Sequence, residues 1–576
     1  MTDDYVGIRP KVDVGGSPLA SDLEVLLEQV VVDDHLHLPD MFLLCFRDVG
    51  RDVLKRGRFE VGTKVKITVP AAGAGQGDVL IDGEVTALEA EYDAAGSRAI
   101  VRGYDGSHRL HRGRTTETYR NVKDSDIART VAQRVGLGTG TIDDSQTTHD
   151  HVSQANLSNW DFLGARASEI GFEVAVSEGK LHFRKPTPSS QAPGEGDLTS
   201  STPLQLVFGA DLLEFRPRVS SAEQVKQVTV RGWDARRKEA LVGSATAATS
   251  SADLSATPAE LAHVFGDPTY TSVDRPFASQ GEVDAAAKAI ADQIGSAAAE
   301  AEGVARGNPK LRAGAPVSIA VVADDFAGRY TLTHSRHLFD AHGYRTWFEV
   351  SGRQDRSLLG LVSGASANGS GPAAAAAIGG VVVALVTNNS DPDGMGRVKL
   401  KFPWLSDTYE SDWARMAQLA AGPDSGGCFL PEVNDEVLVA FEFGDVRRPV
   451  VIGGLHNGQD KPRLGDGLFD NGKVKRRGLV SRRGHRVVLF DDPGKSGIAL
   501  ISSNGSIRVS LNETKNQIHL YCQGKIALEA QGDLTLSSQQ NITLQAQSQL
   551  KLEGQAGASL NSAAQVEVKG GVVRIN

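Results

Sequence analysis

Alternation of apolar and polar residues at period two, punctuated by Gly, Pro, Asn and Asp, dominates the first third of the chain. It predicts strands over 24–32, 41–48, 63–69, 79–91 and 98–104. Two later segments carry apolar residues at helical spacing. Ile127, Val131 and Val135 fall at i, i+4 and i+8 behind Asp124 or Ser125 as N-cap, and Trp160, Leu163 and Ile170 share a face behind Ser158. A hairpin over 172–176 and 180–183 follows. From Asp211 a second strand-rich set appears at 212–216, 225–233, 317–322, 328–337 and 344–351, interrupted by an Ala-rich helix near 283–299. Two strand-rich blocks around a helical insert suggest internal duplication.

The next stretch, 361–380, is Gly/Ala/Ser-rich and reads as a flexible linker. Beyond it, five short strands at 381–387, 397–402, 413–419, 436–443 and 450–455 suit a small closed barrel such as the OB-fold.

The C-terminal region has the strictest pattern. From Ile518 the chain repeats every eight residues: IHLYCQGK, IALEAQGD, LTLSSQQN, ITLQAQSQ, LKLEGQAG, ASLNSAAQ, VEVKGGVV. First and third positions share one side of an extended run. They hold Ile518, Leu520, Ile526, Leu528, Leu534, Leu536, Ile542, Leu544, Leu550, Leu552, Leu560, Val566 and Val568, while the fifth position is always small. Two aliphatics per repeat cannot close a core within one chain, but several chains wound together can. The pattern predicts an intertwined trimeric β-prism without free edges, about 34 Å long at the usual interstrand spacing.

Composition sharpens this. At 576 residues the chain is too long for one core. Its 63 glycines and 6% aromatic content lean towards many turns, and three distant cysteines exclude a disulfide scaffold. A net charge of −10 argues against wholesale nucleic-acid binding. No apolar leader segment opens the chain. The charge-free stretch 357–390 has an apolar part, 373–386, shorter than the ~20 residues a membrane span needs.

Short chemical motifs resolve into bland readings. Asp424-Ser425-Gly426-Gly427 resembles a protease nucleophile loop, but no histidine base lies nearby in sequence, so it reads as a turn. Gly73, Gly75 and Gly77, like Gly136, Gly138 and Gly140, lack the strand–GxGxxG–helix context of a dinucleotide site. His35/His37 and His149/His151 lack a third ligand at metal spacing and read as surface or loop histidines. A basic run, Lys473, Lys475, Arg476, Arg477, Arg482, Arg483 and Arg486, has no interleaved aromatics and reads as a solvated collar. No catalytic residue, cofactor or metal is expected.

Several of these segments together resemble a known family. Asp393-Gly394-Met395-Gly396-Arg397-Val398-Lys399-Leu400 with Phe402-Pro403-Trp404, and the runs 431–441 and 448–457, resemble the barrel of VgrG-like central hub/spike proteins of contractile injection systems. In that group a phage tail hub and a baseplate spike are fused. Ser481-Arg482-Arg483-Gly484-His485 with Phe490-Asp491-Asp492 looks like its neck, and 102–105 and 159–163 look like its hub. The resemblance implies a mainly β chain with some α. Residues 1–360 would form a hub of two tube-like β-barrels with an α/β insert near 105–210, and 361–378 a linker. An OB-fold barrel at 379–457, a neck at 458–517 and a C-terminal intertwined trimeric β-helix (the prism) at 518–576 would follow.

It also implies a non-catalytic homotrimer that contacts the inner tube protein and baseplate proteins, carries effector cargo and touches a target membrane transiently. A PAAR-type tip protein would sit on Val572, Val573, Arg574, Ile575 and Asn576, which lack a His-x-His metal tip. Such a protein is made in the bacterial cytoplasm without a signal peptide and joins a phage tail-like particle, in some systems released from the cell. No specific nucleic acid is expected. The alternatives are a spike-associated hydrolase acting through 424–427, or a surface-binding or adhesin module acting through 473–486.

Overall fold

The computed structural model describes residues 9–71, 77–94, 96–194, 202–234, 236–273, 275, 277–353, 379–444, 446, 448–464, 467–492 and 494–575. The linker expected at 361–378, Asn576, and Gly73 and Gly75 lie outside the described residues, as does the side chain of His151. Two compact units divide at Lys461 and Pro462.

In the first unit the two strand-rich blocks join in one eleven-stranded sheet. Its order is Leu212–Val219, Ala299–Arg306, Gly343–Val350, His334–Asp340, Leu27–His35, Met41–Arg47, Gly96–Asp105, Asp78–Asp93, Lys64–Val69, Lys11–Val14 and Ser17–Pro18. The halves meet where His334–Asp340 runs antiparallel to Leu27–His35, with Phe339 opposite Val30 and Ser335 opposite Asp34. Period-two burial gives each half its own core. One holds Val32, Phe42, Leu44, Phe46, Val65 and Ile67; the other holds Leu212, Ala301, Ala305, Val317, Ile319 and Phe348. Each half also packs an aromatic ring over a cross-strand glycine. Phe42 faces Gly103 and Phe348 faces Gly303, where an added Cβ would come within 2.4 Å and 2.2 Å of the ring respectively.

Ala299–Arg306 is not among the expected strands, and the Ala-rich helix was expected near 283–299. The helix instead spans Gln280–Ser296 behind a Ser279/Glu282 capping box. The strand then buries Ala299, Ala301 and Ala305 at period two, and alanine carries little strand signal of its own.

The insert packs helices Asp124–Arg134 and Asn159–Ile170 around Ile127, Val131, Leu163 and Phe183. Ser158 caps the second helix as expected, accepting from the Asp161 N–H at 3.1 Å. Neither Asp124 nor Ser125 caps the first. Lys123 holds that position, and the buried Asp124 carboxylate is engaged by Arg166 Nε at 2.7 Å and His149 Nε2 at 3.1 Å. His149 is therefore not a surface histidine. Hydrogen bonds to Asp124 and Glu282 raise its pKa to about 9, and the bond from His149 lowers Glu282 to about 2. That charged cluster fastens the insert to helix Gln280–Ser296.

After the linker region, five strands pair in the order Lys399–Lys401, Val381–Asn388, Glu436–Phe441, Pro449–Gly454, Arg415–Met416. They enclose Ala384, Val398, Leu400, Phe402, Val437 and Val439. This barrel is fastened to the hub strand Gln227–Asp234 and the turn after it. Buried Arg231 donates to the Pro403 carbonyl at 3.1 Å and to Asp407 at 2.7 Å. Trp233 Nε1 donates to buried Glu436 at 3.1 Å, whose other oxygen accepts from Asn457 at 2.8 Å. Lys238 reaches Asp460 at 2.5 Å. A Cβ on Gly458 would fall 1.7 Å from the Arg236 carbonyl, so only glycine permits that approach.

Among the described residues no helix is long and apolar enough to cross a membrane. The second unit opens on a short hairpin pairing Phe469–Asp470 with Lys473–Val474, followed by an antiparallel meander of Arg476–Val480, Arg486–Asp492, Lys495–Ile501, Ile507–Asn512 and Gln517–Cys522.

A protease site inserted between 361 and 378 tests the hub–barrel joint. After cleavage the two pieces are expected to co-elute. In an Arg231→Ala/Glu436→Ala variant, which removes charge-assisted bonds worth about 3 kcal/mol in sum, they are expected to separate on size-exclusion chromatography.

Candidate assembly site

Strand pairing in the meander aligns aliphatic residues in rows across all five strands. Leu479, Val487, Leu500, Val509 and Leu520 form one row by direct pairing; Leu489, Ile498, Leu511 and Ile518 form the next. Both rows lie on one face, because their members alternate with the buried Val488 and Ala499 of the other. Leu489, Ile498, Leu500 and Leu511 are each 44–49% exposed, and Ile518 is 73% exposed. A contiguous aliphatic face of this kind marks an interaction surface.

Ile518 and Leu520, expected as the first turn of the prism, belong to the last strand of this sheet, where Leu511 and Val509 face them. The face begins far upstream of the expected core, at Leu479. Its signal is in the sequence as period-two pairs such as Val487/Leu489, Ile498/Leu500 and Val509/Leu511, but it is divided among separate strands.

From residue 523 the octad becomes geometric. Bends fall at 523–524, 531–532, 539–540, 547–548, 555–556, 563–564 and 571–572, one every eight residues. Between them run extended six-residue segments that contain the remaining expected core positions. Ile526, Leu528, Leu534, Leu536, Ile542, Leu544, Leu550, Leu552, Leu560, Val566 and Val568 are 49–77% exposed. The small fifth position, such as Ala530, Ser538 or Ala546, immediately precedes each bend. Among the described residues, no backbone–backbone hydrogen bond is made by residues 524–575. Side chains take up a few of these groups, as where the Gln540 N–H donates to Ser538 Oγ and the Ala564 and Gln565 N–H groups donate to Ser562 Oγ, and the aliphatic pairs stay exposed. Val572, Val573 and Ile575 are exposed at the end, as is Arg574.

Other candidates do not assemble into chemistry. Ser425 sits exposed in a tight hairpin pairing Ala421–Gly422 with Ser425–Gly426, with Asp424 at φ 53° and no histidine bonded to it. No group of three or more metal-ligating side chains occurs among the described residues. The basic run is partly neutralised by acids at its two flanks. Lys475 contacts Asp470 at 2.7 Å, Arg476 contacts Asp492 at 3.6 Å, and Arg477 contacts Asp491 at 2.5 Å. Folding thus gives part of that run salt partners.

The barrel has a counterpart among known families. Residues 382–456 match the family model of the type VI secretion system/phage-baseplate injector OB domain. A second model, the Alg8 N-terminal domain, matches residues 54–340, from the later strands of the first hub half through the insert into the second half. The chain is mainly β and similar to VgrG-type hub/spike proteins. It is 29% identical over 126 residues to the type VI secretion system spike protein VgrG2a of Pseudomonas aeruginosa, covering 21% of this chain and 15% of that one. It is 42% identical over 65 residues to VgrG3 of Vibrio cholerae, covering 11% and 6%. The matched stretches are thus a small part of those relatives. Among solved structures, the 43 kDa tail protein of prophage MuSo2 from Shewanella oneidensis aligns with 59% of this chain and 97% of its own, at 12% identity and a TM-score of 0.44.

Leu500→Asp, in the middle of the aliphatic face, is expected to abolish assembly in light-scattering measurements. Arg508→Gln, on the opposite face of the same sheet, is expected to leave the assembled mass unchanged.

Proposed function

We propose that three copies of this chain form a non-catalytic hub and spike of a contractile injection apparatus. One observation carries the reading: the aliphatic rows of the meander and the aliphatic pairs of the repeats are exposed or half-buried, and residues 524–575 make no backbone–backbone hydrogen bond among the described residues. Identical chains supply both needs at once. Each aliphatic pair turns towards a shared axis, and each extended run pairs with a run of a neighbour. The prism of residues 518–576 then has no free edge, with the meander as its base. A rod whose hydrogen bonds close across three chains resists bending, as a piercing element requires.

In this reading the hub, 1–360, caps and nucleates the inner tube at the centre of the baseplate, and the barrel, 379–457, connects it to the neck, 458–517. The residues Val572, Val573, Arg574, Ile575 and Asn576 receive a PAAR-type tip protein. Effector cargo rides on the same assembly, the target membrane is met only during firing, and assembly takes place in the bacterial cytoplasm. The resemblance to VgrG spike proteins supports these assignments, and the hairpin position of Ser425 supports a role without hydrolysis. Ser425→Ala is expected to leave injection intact.

The purified chain is expected to run at about three times 61.0 kDa in analytical ultracentrifugation; a stable monomer sinks the proposal. Removing residues 572–576 is expected to preserve that mass while abolishing capture of a PAAR-type protein.

A further inference from the structure

The octads contain a second regularity, on the polar side. The sixth position is glutamine in five consecutive repeats: Gln523, Gln531, Gln539, Gln547 and Gln555. Each is the first residue of a bend, so the structure places this amide at every corner of the first five repeats. Gln531, Gln539, Gln547 and Gln555 are exposed and have no hydrogen-bond partner within the chain among the described residues. Charge is distributed accordingly. Within the repeats, charged residues occupy the second, fourth and eighth positions, as with Lys551, Glu529, Glu553, Lys569 and Asp533, and none occupies the fifth, sixth or seventh.

Exposure alone does not explain that exclusion, since a solvated corner tolerates Lys or Glu as readily as the fourth position does. A corner at which like residues stack does explain it. Repeats layered at the interstrand spacing of about 4.8 Å bring equivalent side chains into register. A carboxamide then donates to the layer on one side and accepts from the layer on the other, whereas equal charges so placed repel.

We infer that these glutamines form hydrogen-bonded ladders along the corners of the assembled prism, contributed by successive layers of the three chains. The ladders fix the axial register that aliphatic contacts alone leave free, because Leu and Ile at the first and third positions are nearly interchangeable from one repeat to the next. This inference rests on the trimeric reading above. It assigns a further role to residues of the same region: the aliphatics drive association, and the glutamines determine which layer lies on which.

The test uses the full chain with Gln539→Glu/Gln547→Glu, against Ser537→Glu/Gln545→Glu at the adjacent fourth positions. Thermal unfolding of the trimer is followed at pH 7 and pH 4, each relative to the wild type at the same pH. Stacked carboxylates have raised pKa values in the assembly, so stability is retained below their titration and lost as pH rises through it. The corner variant is expected to melt lower by about 5 °C or more at pH 7 and to return to wild-type behaviour at pH 4. The fourth-position variant is expected to change little at either pH. Equal effects from the two variants, or a pH-independent loss, overturn the ladder while leaving the trimer intact. A monomeric wild type overturns the trimeric reading itself and is recognised before any variant is compared.

Discussion

Backbone amides removed from water need partners, and residues 524–575 make no backbone–backbone hydrogen bond among the described residues. The rest of the molecule is organised around that deficit. The meander preceding it satisfies its backbone internally yet leaves one side aliphatic, so it stands between self-sufficient and dependent structure. The hub and barrel, by contrast, enclose their own cores. The apolar side chains therefore change character along the sequence, from buried within the chain in the hub and barrel to exposed in the repeats.

Much of this was legible in the residues, and the reasons differ from place to place. The octads were plain because each repeat states its own geometry: two aliphatics, a small residue, a bend. Helix Asn159–Ile170 was legible because its Ser158 cap and Gly171 terminator are local signals. The barrel strands appeared at nearly their expected positions, since β-branched runs between turn residues are also local. What escaped was long-range or chemically quiet. The strand Ala299–Arg306 buries alanines, which mark helices as readily as strands. Pairing of Leu27–His35 with His334–Asp340 leaves no trace in either segment alone. Glu436 and Trp233 lie 203 residues apart, and nothing near either one announces a contact. The aliphatic face upstream of Ile518 was visible strand by strand, but its meaning depends on the register that stacks those strands.

Two kinds of polar interaction divide the remaining work. In the interior, charges are placed beside partners, as Asp124 is with Arg166 and His149. Breaking one member strands the other in a poorly solvated place, which makes such contacts effective at specifying how one part sits on another. On the repeats the polar residues are instead mostly neutral amides and hydroxyls. They are individually weak, but they recur at fixed intervals. The first arrangement fixes a single geometry through a few costly contacts; the second accumulates alignment through repetition.

The continuous sheet of the hub has a consequence for synthesis. Its central seam joins strands some 300 residues apart, as the Asp33–Arg336 ion pair illustrates. At a translation rate of 5–20 residues per second, the strand Leu27–His35 leaves the ribosome roughly 15–60 s before its partner exists. For that interval it is an apolar strand with an open edge, carrying Val30 and Val32 and having only Met41–Arg47 beside it. The hub is thus most exposed to faulty pairing while it is incomplete, and its yield in the cell depends on how well nascent chains are shielded between the making of the first half and the arrival of the second.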